Sequence, residues 1–145
     1  MPAPTPGYSQ DVNARALIDR LEGAPDVSLA YLFGSVARAE ARRGSDVDLA
    51  VLFTARPGPA RIVEMAVALE RAAGRSVDLI VLNCAPPLLA HEVVATGRLL
   101  VCREDSARAA FEAQALIRYL DTGRLRRIQH QYLRERADAR RAPAR

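Results

Sequence analysis

The sequence predicts one α/β domain, and three observations predict it. Four short apolar runs rich in β-branched residues, "VSLAYLF" (27–33), "DVDLAVLF" (46–53), "SVDLIVL" (76–82) and "RLLVC" (98–102), read as strands. Segments with apolar residues three and four apart lie between and around them. Glycine and proline clusters separate the two kinds of segment. This alternation indicates an α/β (α+β) domain, a small mixed sheet flanked by helices with a long helix near the C-terminus, and leaves strand order open.

The first seven residues hold Pro2, Pro4 and Pro6 and read as the core of a disordered leader over 1–8. Ser9 is placed to cap a helix whose stripe is Ala14, Leu17, Ile18 and Leu21, broken by "EGAPD". After the 27–33 strand a short helix is expected over about 36–41. A turn at Gly44-Ser45 then leads into the 46–53 strand. "ARPGP" closes that strand, and Ile62, Val63, Ala66, Val67 and Leu69 mark a helix over about 60–73 that Gly74 ends. Pro86-Pro87 fits the first turn of a helix stopping at Gly97. Glu104 to about Asp121 reads as a long amphipathic helix with Ala113, Leu116, Ile117 and Leu120 facing inward. The domain is drawn over 9–125, with 126–145 as a basic Arg-rich helix or tail.

At 145 residues the chain can bury one substantial core but not two enzyme domains. No apolar run approaches the roughly 20 residues that span a bilayer, and the N-terminus lacks the basic and apolar regions of a signal peptide. A cytoplasmic protein is expected, with no membrane contact. Cys84 and Cys102 read as buried reduced thiols without a disulfide or metal role. All 21 basic residues are arginines, and their excess over acids is concentrated after residue 117. That tail has two tyrosines and no recognisable nucleic-acid module, so it reads as a solvated helix or a surface for an acidic partner rather than a direct nucleic-acid contact.

Two aspartates in an otherwise apolar strand are the anomaly that carries chemistry. Asp46 and Asp48 stand at i and i+2, so they project from one face, about 7 Å apart along the strand. Asp78 interrupts the face formed by Ile80 and Leu82, and three carboxylates converge if the two strands are neighbours. Buried like charges raise one another's pKa and require a cation. With no Lys in the chain and no Arg on these strands, a divalent ion held by oxygen is the economical answer, Mg²⁺ or Mn²⁺ rather than zinc. Gly34-Ser35, where the first strand passes into a helix, adds a cradle of backbone N–H groups and a hydroxyl for phosphate.

Together, "FGSVARAEARRGSDVDLAVLF" and "SVDLIVLN" resemble the nucleotidyltransferase superfamily that includes DNA polymerase beta. The closest likeness is to the minimal nucleotidyltransferases, the MntA-type antitoxins of HEPN/MNT toxin–antitoxin pairs, over roughly residues 10–125. By position, Gly34 and Ser35 match the phosphate-binding turn, Asp46 and Asp48 the metal-binding pair, and Asp78 the third acid, a metal ligand or general base. Arg38 is a candidate to steer phosphate or a partner, and Asn83 to reach the nucleotide or cap the turn before Pro86. Ala39 departs from the glycine common at that point of the family pattern.

The resemblance implies transfer of AMP from ATP, with two Mg²⁺ ions, to a tyrosine hydroxyl of a cognate HEPN ribonuclease toxin, in a complex with that toxin. Two alternatives stand beside it. A small-molecule nucleotidyltransferase would carry a further helical domain to close over its acceptor. A module that masks a toxin by contact alone would be expected to lose one or more acids, and all three are present.

Overall fold

The computed structural model describes residues 13–34 and 45–141. Among them, in chain order, are α1 (Ala14–Glu22), β1 (Val27–Phe33), β2 (Val47–Phe53), α2 (Pro59–Ala73), β3 (Val77–Val81), a 3-10 turn (Leu82–Cys84), α3 (Pro87–Thr96), β4 (Arg98–Cys102), α4 (Asp105–Asp121) and α5 (Gly123–Arg141). The leader, Ser9 and the helix expected over 36–41 lie outside the described residues. The side chain of Asn13 caps α1 by accepting a hydrogen bond from the backbone N–H of Ala16. Pro59 and Pro87 occupy the first turns of α2 and α3, where a missing N–H costs nothing. Gly74 ends α2 in the left-handed conformation at φ 70°.

The strands form one mixed sheet in the order β3-β2-β1-β4. β1 runs antiparallel to β2 and β4, and β2 runs parallel to β3. Strand alternation divides the core into two layers. Val47, Leu49, Val51 and Phe53 of β2 meet Leu17 and Leu21 of α1 and Met65 and Leu69 of α2. Leu29 and Tyr31 of β1 and Ala50 of β2 meet Ala90 and Val93 of α3 and Ala115 of α4. A bulge between Val27 and Leu29 explains why these two odd-numbered neighbours serve opposite layers. Two ties cross the layers. Tyr31, 2% exposed, donates its hydroxyl hydrogen to Glu112 on α4 at 3.1 Å, and Arg108 braces the same carboxylate at 2.8 Å. Burial, then the Glu112 charge, push the Tyr31 phenol well above its ordinary range. Arg103 donates to the carbonyls of Val27, Glu22 and Ala24, gathering the end of α1 onto the sheet.

Two sequence expectations about side-chain placement fail. Leu116, Ile117 and Leu120 face solvent, and the residues that pack under α4 are Phe111 and Ala115. The amphipathic stripe was legible, but α4 is docked by the Tyr31–Glu112 bond and by Ala115, on the far side of the helix from that stripe. The cysteines are free as expected but not buried, since Cys84 sits exposed on the one-turn helix and Cys102 is half-exposed at the end of β4.

Candidate active site

β2 and β3 are neighbours, and their register puts Asp48 directly opposite Asp78. Strands of a sheet lie about 4.8 Å apart, so the two residues are adjacent on the face shared with Ala50 and Ile80. On its other side Asp48 is opposite Phe33, the last residue of β1. The turn that follows β1 therefore begins beside the carboxylates. Gly34 takes φ +72°, a conformation that side chains disfavour. A Cβ on Gly34 would lie 2.2 Å from Oδ2 of Asp48. The glycine thus does more than permit an anion to approach: its bare Cα makes room for the Asp48 carboxylate itself.

The acids are not buried, although their place in apolar runs suggests that they would be. Asp46 precedes β2 and is exposed, Asp78 is exposed, and Asp48 is half-buried. They lie at the open end of the sheet, where water screens their charges. Nor is the neighbourhood free of cations. Arg75, just ahead of β3, donates to the carbonyl of Ser45 at 3.2 Å, and the N–H of Val47 bonds the Ser76 carbonyl at 3.0 Å. These two bonds fix the entry to β2 against the entry to β3 and so hold the Asp48–Asp78 register. Arg75 was missed because it belongs to no motif; its only sequence signal is its place three residues before Asp78.

Among the described residues no three acidic, histidine or cysteine side chains close into a metal-binding group. The all-oxygen donor set still suits Mg²⁺, which takes one or two carboxylates and completes its shell with water and phosphate oxygens.

The remaining sequence candidates separate. Ser35 and Arg38 lie outside the described residues. Asn83 does not join the carboxylates. Its amide accepts from the Phe53 N–H and donates to the Phe53 carbonyl, both at 2.9 Å, and so extends the β2 ladder at the end opposite Asp48. Five residues of strand put that point about 17 Å from Asp48. The role that these bonds give Asn83 is structural. His91 stacks on Tyr119 with ring centroids 3.8 Å apart, and the Arg126 guanidinium, also 3.8 Å from the Tyr119 centroid, occupies the ring's other face. That sandwich packs α3, α4 and α5 together.

Comparison with known proteins agrees with this geometry. Residues 15–106 match the family model described as polymerase beta, nucleotidyltransferase. Protein adenylyltransferase MntA of Shewanella oneidensis is 35% identical over 92 residues, which cover 63% of this chain and 66% of that protein. The match thus spans just under two thirds of that relative's length. A crystal structure described as a toxin-antitoxin with AMP-PNP superposes with a TM-score of 0.75 at 28% identity, over 83% of this chain and 98% of that one. A structure of tri-AMPylated Shewanella oneidensis HEPN toxin in complex with MNT antitoxin gives 0.70 at 26% identity, over 83% and 95%. The paired strand aspartates, the glycine turn beside them and the family match over most of the folded core lead to one conclusion: this chain belongs to the polymerase beta nucleotidyltransferase family.

Proposed function

We propose that this protein is an antitoxin that transfers AMP from ATP to a tyrosine hydroxyl of a HEPN-type toxin. The observation that carries the reading is the Asp48–Asp78 pair in register beside the Gly34 turn. It is supported by the likeness to a protein named as an adenylyltransferase and to a complex containing an AMPylated toxin.

Asp46 and Asp48 would hold Mg²⁺, whose chemistry here is to neutralise triphosphate charge and stabilise the in-line displacement. Gly34, with the Ser35 hydroxyl expected from the sequence motif, receives the phosphates. Asp78, beside Asp48 and open to water, accepts the proton of the acceptor hydroxyl and passes it to solvent. The acceptor oxygen bonds to the α-phosphorus, the bond from that phosphorus to the bridging oxygen breaks, and pyrophosphate leaves. With the carboxylates on an open sheet end, the acceptor side is completed by the protein that presents the hydroxyl.

The test is mass spectrometry of a HEPN-type toxin after incubation with this chain, ATP and Mg²⁺. Whole adenylyl increments are expected, absent with Asp48→Asn. Toxin ribonuclease activity should fall with sub-stoichiometric antitoxin. Neutralisation only at molar equivalence and without ATP would reject transfer in favour of masking by contact.

A further inference from the structure

Both α4 and α5 leave large apolar side chains in solvent. Leu116, Ile117 and Leu120 on α4 and Ile128, Tyr132 and Leu133 on α5 are each between 47% and 63% exposed. α5 meets the body through Arg126 lying over Tyr119 and along a cleft of about 510 Å³, where Arg126, Arg127 and His130 face Leu88, Tyr119 and Leu120. Its apolar residues recur at helical spacing and point away, and none of its residues is buried. Nineteen residues make this helix about 28 Å long. It carries seven arginines against two acids.

We infer that the outward α4–α5 face is the docking surface for the acceptor protein, and that the docked surface is apolar and ringed by carboxylates. Charge selects this occupant. A second copy would set one seven-arginine helix against another, whereas an acidic partner answers the arginines while burying the leucine and isoleucine side chains. The inference rests on the proposed function for the partner's identity. It adds that the acceptor is held here, at a surface formed by none of the carboxylate-bearing strands, and that the carboxylates perform transfer only.

The test compares Ile117→Asp/Ile128→Asp with the wild type in the full chain, using the HEPN-type toxin that this chain modifies. Both positions are more than half exposed, so circular dichroism and ATP affinity should be unchanged. Calorimetry should show acceptor affinity lowered about 100-fold or more. The acceptor KM should rise while kcat at saturating acceptor stays within about twofold. Arg124→Glu/Arg134→Glu should weaken binding and flatten its salt dependence. Wild-type affinity and KM in the Ile117/Ile128 variant would overturn the docking surface and leave transfer standing. Tight, stripe-dependent binding without AMP transfer by the wild type would do the reverse. Self-association, RNA binding or binding to anionic vesicles that depends on the stripe, with toxin affinity unaffected, would also overturn it.

Discussion

Gly34→Ala is the sharpest perturbation of the site, because a single methyl group meets both the backbone and the chemistry. Holding alanine at φ +72° costs about 1–2 kcal/mol relative to glycine. The added carbon would also sit 2.2 Å from Oδ2 and 3.0 Å from Cγ of Asp48. A carbon–oxygen contact needs about 3.3 Å, so the carboxylate must retreat by about 1 Å, and a displacement of that size costs about 10²-fold in rate. The expected result is transfer slowed 100-fold or more, with the melting temperature lowered by several degrees. A double-mutant cycle separates the two effects. In an Asp48→Ala background the clash with the carboxylate is gone, so the stability cost of Gly34→Ala should shrink to its backbone part. Quench-flow measurement of pyrophosphate release and thermal denaturation of the four proteins supply the numbers. Normal turnover by Gly34→Ala, or a stability cost indifferent to residue 48, would falsify the claim that this glycine exists to seat Asp48.

Asp48→Asn should abolish transfer with the circular dichroism unchanged, and retained transfer in excess chelator would remove the metal from the reaction. Asp78→Asn should slow transfer by about 10²-fold or more while ATP affinity in calorimetry stays near wild type, because its role is proton acceptance. Asn83→Ala removes both hydrogen bonds to Phe53 and should cost about 1–3 kcal/mol in urea denaturation without changing ATP affinity. Arg61 donates two hydrogen bonds to Asp26, at 2.8 and 2.7 Å, and holds its carboxyl below the usual range. The stability this adds is present above the unfolded carboxylate pKa of about 3.9 and is lost as pH falls through the lower folded value. Acid denaturation of Asp26→Asn should lack that part of the loss; a profile identical in shape to the wild type would show that the pair contributes nothing.

Local sequence determined the elements. Valine, leucine and isoleucine runs gave β1 to β4 within a residue or two, the prolines fall in the first turns of α2 and α3, and Gly74 ends α2 in a left-handed position. The acids of the candidate site were legible for the same reason, since a carboxylate inside an apolar run is a local contradiction. Contacts between distant segments were decided only by the tertiary structure. The β2–β3 register makes Asp48 and Asp78 neighbours, and the sheet end at which they stand keeps them in water rather than in the core. Nothing in the sequence indicated that Asn83 would be spent on Phe53, because the bond joins residues 30 apart. The stripe of α4 was correctly seen and wrongly aimed. Periodicity shows that a helix has an apolar side, but the direction of that side depends on what else docks. Here the Tyr31–Glu112 bond and Ala115 hold the opposite flank of α4 to the sheet and leave leucine and isoleucine facing out.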